Sequence, residues 1–240
     1  MNPAAPSSVG EICDAILLDG FAVVPDLLTP AEVDALQHAI AAVTDPIVAS
    51  KHGTPHALRN LLEASPEVRA LAETAPVRAL VEPILGKDCF PVRGILFDKI
   101  PGANWKVPFH QDVTIAVREK VETKGFGPWS VKAGVLHTQP PVAVLESMLS
   151  VRIHLDDCHE RNGALRVVPG SHRLGRVAES DIDSIRQQLG ERVGSVSLGG
   201  VLLMRPLLLH ASSQAQIPEH RRVIHIDFAA HALPGRLRWL

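Results

Sequence analysis

The stretch "VPFHQDVTIAV" places His110 and Asp112 two residues apart. In a β-strand, side chains two apart leave the same face, so this imidazole and carboxylate can meet one metal ion or form a polar pair on a strand surface. Two further His-x-Asp triplets occur, His154-Leu155-Asp156 and His225-Ile226-Asp227. A non-haem Fe(II) site takes two His and one carboxylate on one face of the metal and leaves the other positions open for a co-substrate and O₂. The third ligand must then come from a distant segment. His210 closes the apolar run "GVLLMRPLLLH", which reads as a strand releasing its last side chain at a barrel mouth. His225/Asp227 fails on position, because only His231 follows it. His154/Asp156 also precedes His210, and spacing permits it. Both remaining pairs stand as candidates, with His110/Asp112 preferred.

Eleven residues beyond His210, Arg221 opens the segment "RRVIHIDFA". A strand, a loop and a returning strand bring it to the same cavity, where a guanidinium can grip a carboxylate through two parallel hydrogen bonds. Arg222 is its rival, since adjacent strand residues point to opposite faces. The count from His210 favours Arg221.

The elements that must hold these residues change character along the chain. Ser7 or Ser8 can cap a helix through "EICDAILLDG", ended by Gly20, and "FAVVPDLL" reads as a short extended piece. In "TPAEVDALQHAIAAV", Thr29 is the N-cap, Pro30 sits in the first turn, and Glu32 completes a capping box. Val33, Leu36, Ile40 and Val43 share one face of that helix. Helices are also expected from Ser65 through Leu71 and over "APVRALVEPILG". From about residue 90 the pattern turns to short runs rich in Val, Ile and Leu, bounded by Gly, Pro, Asn or Asp: "RGILFDKI", "MLSVRIHLDD", "ALRVVPGS", "GVLLMRP" and "RRVIHIDFAA". Helices followed by many strands predict an α+β fold with a barrel or jelly roll. "VREKVETKGFGPWS" reads as a loop, and Asn162-Gly163 as a hairpin turn.

The 240 residues suffice for one large domain, and no internal boundary or repeat is visible. Hydrophobic residues make up 46% and charged residues 21%, as in an ordinary globular protein. A formal charge of −2 gives no support for nucleic-acid or anionic-membrane binding. Cys13, Cys89 and Cys158 are too widely spaced for a disulfide framework or a thiolate zinc finger. The N-terminus lacks a secretory pattern and no apolar run reaches membrane-span length, so the expected location is the cytoplasm. Nothing here fixes the oligomeric state.

The ordered motifs "FHQD", "RNGALRVVPGSH", "LLLHASS" and "RRVIHIDFA" resemble the phytanoyl-CoA dioxygenase family over about residues 90 to 230. The resemblance implies a double-stranded β-helix (jelly roll, cupin-like) with N-terminal helices packed on its outer face. That divides one domain, 1–240, into a helical part over about 1–88 and a jelly-roll core over about 90–230. It implies an Fe(II)- and 2-oxoglutarate-dependent dioxygenase that consumes O₂, hydroxylates a small molecule and releases succinate and CO₂. Carried over, His110, Asp112 and His210 are the iron ligands, and Arg221 and Ser212 hold the distal carboxylate of 2-oxoglutarate. Lys99, in "FDKIPG", matches a lysine often found before the "HQD" turn. Many relatives carry "HGS" where this chain has "HASS", which leaves the serine in place. Halogenating relatives replace the carboxylate ligand, so Asp112 favours hydroxylation. The alternative is a metal-binding jelly-roll isomerase, lyase or ligand-binding protein, which needs no Arg221 clamp.

Around the site, Trp105, Trp129, Lys132, His137 and Gln139 lie in or near expected loops, and Trp129 and Lys132 belong to a "GPWSVKAG" stretch able to close over a ligand. Trp105 and Trp129 are expected to wall the pocket. Arg152, a charge among apolar strand neighbours, either anchors a substrate or pairs with Asp156 or Asp157. The substrate is expected to carry an anionic group met by Arg152, Lys132 or Lys99. With no basic surface for CoA phosphates, a small polar metabolite or amino-acid derivative fits. Pro169 to His172 is expected to be a structural turn.

Overall fold

The helices begin where the sequence supplies caps. In the computed structural model, which describes residues 6, 8–43, 47–51, 54–132, 134–216 and 218–240, Ser8 accepts the Glu11 amide at the head of α1 (Val9–Leu18). Thr29 and Glu32 close the capping box of α2 (Pro30–Ala41). After α3 (Leu61–Ala64), Ser65 caps α4 (Pro66–Ala72), and α5 (Ala75–Leu85) stops at Gly86. Ile12 and Ile16 of α1, Val33, Leu36 and Ile40 of α2, and Val77, Leu80 and Val81 of α5 join one buried apolar cluster. Val43 lies beyond the end of α2. The cluster's other half is Leu149, Val151 and Ile153 of β9 (Met148–His154) with Ile224, Ile226 and Phe228 of β14 (Arg221–Ala229). Those residues alternate along their strands, so the helices cover one face and the intervening residues point the other way.

The large sheet runs β1 (Phe21–Val24), β12 (Val201–Met204), β9, β14, β4 (Phe90–Lys99), β3 (Thr54–Arg59), β2 (Ile47–Lys51). The smaller sheet runs β11 (Arg192–Gly194), β10 (Leu165–Val167), β13 (His210–Ser212), β5 (Val107–His110), and every pairing in both is antiparallel. The sheets form a double-stranded β-helix with a cavity between them. A third sheet joins β6 (Ile115–Ala116), β8 (Val135–Thr138) and β7 (Trp129–Lys132).

Several local expectations are revised. The N-terminal part is not purely helical, because β1 pairs with β12 and β3 pairs with β4 inside the large sheet. "GVLLMRPLLLH" is two strands: β12 ends at Met204, the chain turns at Arg205-Pro206, and His210 starts β13 in the opposite sheet. Proline lacks the amide a continuing ladder needs. Asn162-Gly163 is not a hairpin turn, since β9 and β10 belong to different sheets; a 3₁₀ turn over Glu160–Asn162 ends at Gly163, with φ 83°. The "GPWSVKAG" stretch holds strand β7, paired with β8, rather than a loop. Among the described residues, no helix is long and apolar enough to cross a membrane.

Candidate active site

Strands β5 and β13 lie side by side with His110 in register with His210, and the imidazole centroids are 4.3 Å apart. Asp112 follows the end of β5, so a turn rather than strand alternation presents it. The Asp112 amide donates to the Pro206 carbonyl at 2.9 Å. The intervening Gln111 locks that turn: its side chain donates to the Gly175 and Leu207 carbonyls and accepts from the Val177 amide. The Asp112 oxygens then lie 3.9 Å from His110 Nε2 and 3.8 Å from His210 Nε2. One ligand atom from each of the three residues lies within 4.8 Å of the others.

Both imidazoles are oriented from behind. Each Nδ1 lies 2.9 Å from a backbone carbonyl, Pro108 for His110 and Leu208 for His210. Nδ1–H donates there, which fixes the tautomer and turns the Nε2 lone pairs toward the carboxylate. Burial lowers the His210 pKa to about 4 against the pull of Asp112, so the ring is neutral at pH 7 and ready to ligate. Burial pushes the Asp112 carboxyl up, but His210, His225, Arg93 and His110 outweigh it and hold it below its ordinary range. The "PGSH" turn supports the approach to His210, with Ser171 Oγ accepting the Leu209 amide and donating to the Val168 carbonyl. Two imidazoles with their Nε2 atoms turned toward one carboxylate at the edge of a cavity fit a divalent metal held on one face.

Farther along the same cavity, the register between β4 and β14 sets Lys99 directly opposite Arg221, both buried. Lys99 donates to Ser212 Oγ at 2.8 Å and to the Ser213 carbonyl. Arg221 donates to the Gly163 carbonyl and, at 3.4 Å, to Ser212 Oγ, while the Cys158 thiol sits beside its guanidinium. Arg221 Nε is buried without a hydrogen-bond partner. Among the described residues, no carboxylate hydrogen-bonds either cationic head. Two adjacent buried cations without an anion are costly. Burial, and then Arg221, pushes Lys99 down to about 7. The pair fits an incoming carboxylate. Arg222 points outward into a two-point ion pair with Asp156, Nε–Oδ2 2.9 Å and Nη2–Oδ1 2.6 Å.

Gly163 sits directly on this clamp. A Cβ there would meet the Ser213 carbonyl at 2.6 Å and Lys99 Nζ at 3.0 Å, at a φ of 83°. Gly163→Ala should therefore lower unfolding stability by at least about 1–2 kcal/mol, the cost of a left-handed non-glycine residue. An unchanged urea midpoint would contradict this placement of the backbone.

The third His-x-Asp triplet builds the wall contributed by the large sheet. Arg152 of β9 donates to His225 Nδ1 at 2.9 Å, and His225 Nε2–H donates to Asp227 Oδ1 at 2.8 Å. Asp227 also accepts from Ser150 Oγ at 2.6 Å and Arg93 Nε at 2.7 Å. Asp227 is held well below the usual carboxylate range, because Arg93, His225 and Ser150 overcome its burial. His154 ends β9 with both ring nitrogens buried and unpartnered, and burial keeps it neutral. Its companion Asp156 is occupied by Arg222, so that triplet forms no ligand pair.

The cavity has a volume of about 140 Å³, and Trp105 lines it with Lys99 Nζ 5.5 Å from a ring centroid. Trp129 does not line it: the indole packs on the apolar cluster beneath the third sheet, under Lys120. Lys132 is exposed and donates to Thr114 Oγ1, just past Asp112. His137 is buried on β8, outside the cavity lining, and Gln139 bonds through its backbone to Gly127 and Pro128. Sequence reasoning missed Arg93, Phe97, Gln111 and Cys158. Arg93 and Phe97 were in reach, since they share the two-residue phase of Lys99 on one strand.

The family model described as "Phytanoyl-CoA dioxygenase (PhyH)" matches residues 16–223. No curated protein matches the chain. Among solved structures, AviO1 from Streptomyces viridochromogenes Tue57 is similar at 21% identity and TM-score 0.69, with 97% of this chain and 99% of that one covered. EctD from S. alaskensis with bound Fe is similar at 21% identity and TM-score 0.73, covering 95% and 79%. The epimerase SnoN in complex with Fe3+, alpha ketoglutarate and nogalamycin RO is similar at 17% identity and TM-score 0.69, covering 96% and 92%. These neighbours share the fold, and the family match spans most of the sequence: the chain belongs to the phytanoyl-CoA dioxygenase family.

Proposed function

We propose that residues 1–240 form a non-haem Fe(II)- and 2-oxoglutarate-dependent oxygenase that hydroxylates a small molecule. The observation that carries this reading is one cavity holding both a His-Asp-His triad and a buried cation pair lacking a carboxylate. The solved relatives EctD, with Fe or with 2-oxoglutarate and 5-hydroxyectoine, and SnoN, with Fe3+ and alpha ketoglutarate, support it. Bound iron and 2-oxoglutarate supply an oxidant from O₂ as the co-substrate becomes succinate and CO₂. His110, Asp112 and His210 hold the metal. Arg221, Lys99 and Ser212 take the distal carboxylate and so aim the other end of the molecule at the triad. Trp105 and Phe97 keep bulk water from the oxidant. A metal-binding protein without oxygenase activity would leave the Arg221–Lys99 pair without a purpose. The fold also serves the epimerase SnoN and the carbocyclase SnoK, so the outcome must be read from product. Incubation with Fe(II), 2-oxoglutarate, O₂ and a metabolite panel should give succinate together with a product one oxygen heavier. Succinate coupled only to an isomer or a ring-closed product would replace hydroxylation with one of those outcomes.

Lys99 gives the reading a pH signature. With its pKa lowered to about 7 by burial and then by Arg221, Lys99 is charged below pH 7 and neutral above. A carboxylate prefers the charged form, so 2-oxoglutarate affinity should be greatest below pH 7. It should fall as pH rises through 7, by at most about tenfold per pH unit for one linked proton. Calorimetric titration across pH 6 to 9 measures this, and Lys99→Met should flatten the profile.

A further inference from the structure

Four cations reach the cavity, Arg93, Lys99, Arg152 and Arg221, against one lining carboxylate, Asp112. Asp227 takes Arg93. With a divalent metal, a dianionic co-substrate and Asp112 counted together, positive charge stays in excess, and the co-substrate's distal carboxylate goes to Lys99 and Arg221. Among the described residues, Arg152 is left without a hydrogen-bonded carboxylate. It is 7% exposed, its Nε is buried and unpartnered, and its one hydrogen bond among the described residues goes to His225 Nδ1. His225 supplies no anion there: its Nδ1 faces Arg152 while its Nε2–H donates to Asp227. Burial first, and Arg221 second, lower the Arg152 pKa to about 10, which leaves it charged at neutral pH.

Phe97 and His225 line the cavity beside Arg152. The Phe97 ring lies 5.7 Å from Arg152 Cζ, within cation–π distance. The in-plane edge of a guanidinium is the surface that hydrogen-bonds a planar carboxylate.

We propose that the substrate carries a carboxylate, received edge-on by Arg152 beside Phe97 and His225. This rests on the oxygenase reading, and the test separates the two. The holoenzyme is formed anaerobically from Fe(II) and 2-oxoglutarate, and the visible charge-transfer absorption of the chelate checks the oxygenase reading by itself. Three probes are then titrated by quenching of tryptophan fluorescence: 4-phenylbutanoate, its neutral amide, and 3-phenylpropyl phosphate. The carboxylate should bind about 10- to 150-fold more tightly than the amide, as one charge-assisted contact implies, and more tightly than the phosphate. In Arg152→Gln that preference over the amide should disappear. Equal binding of acid and amide to the wild-type holoenzyme, with the absorption intact, overturns the inference alone and needs no variant. A phosphate that binds best overturns the carboxylate assignment. A preference retained in Arg152→Gln moves the anchor elsewhere, and a larger loss of 2-oxoglutarate affinity than of phenylbutanoate affinity assigns Arg152 to the co-substrate. No absorption at all sinks the oxygenase reading and this inference with it.

Discussion

His210→Ala should abolish 2-oxoglutarate turnover and Fe(II) binding while thermal unfolding stays cooperative. As a ligand, His210 would have no substitute nearby. Asp112 and His110 are already committed to the same metal position, and the other imidazole on the cavity wall, His225, is bonded on both nitrogens. Removing an outer-shell partner of a metal site costs roughly 10–100-fold in affinity or activity, and removing a ligand should exceed that. The fold survives because the main apolar cluster lies on the far face of the large sheet, under the helices. His110→Ala should behave the same way. Calorimetric metal titration beside a melting curve checks both, and wild-type turnover in either variant would remove the triad from the chemistry.

Arg221→Ala should weaken 2-oxoglutarate binding by about 10- to 150-fold, because it would delete a charge-assisted contact worth roughly 1.5–3 kcal/mol. Lys99 remains to hold part of the carboxylate, so binding is weakened rather than lost. Fe(II) affinity without 2-oxoglutarate should be unchanged, since Arg221 contacts none of the three metal-binding side chains. Arg222→Ala is the control. Its ion pair with Asp156 is partly solvated and worth up to about 1 kcal/mol of stability, with no path to the pocket. Equal effects of the two variants on 2-oxoglutarate affinity would mean that the clamp is not where Arg221 stands.

Much of this could be read locally. The caps at Ser8, Thr29 and Ser65 act within one helical turn, so sequence suffices to place them. The alternation that sends Arg221 inward and Arg222 outward is equally local. The choice among three His-x-Asp triplets was not local. His154/Asp156 and His110/Asp112 both precede His210 at permissible spacing, and it was the ordered motifs of the family resemblance that broke the tie for the latter. The reversal at Arg205-Pro206 shows the same limit, since apolar residues on both sides suggested one strand although the two belong to opposite sheets. Gln111 looked like a spacer, yet it holds Asp112 through partners 64 to 96 residues away. Trp129 was expected at the pocket because bulky residues in a loop need cover; its strand instead carries it onto the apolar cluster of the third sheet.

The most direct test adds Fe(II) and then 2-oxoglutarate to the metal-free protein under anaerobic conditions and follows visible absorption. The weak charge-transfer band of a bidentate 2-oxoglutarate chelate should appear at one metal per chain. It should require His110 and His210, and need much more 2-oxoglutarate in Arg221→Ala than in Arg222→Ala. Tight Fe(II) binding with no band at saturating 2-oxoglutarate would contradict the oxygenase assignment and leave a metal-binding jelly roll with a different task.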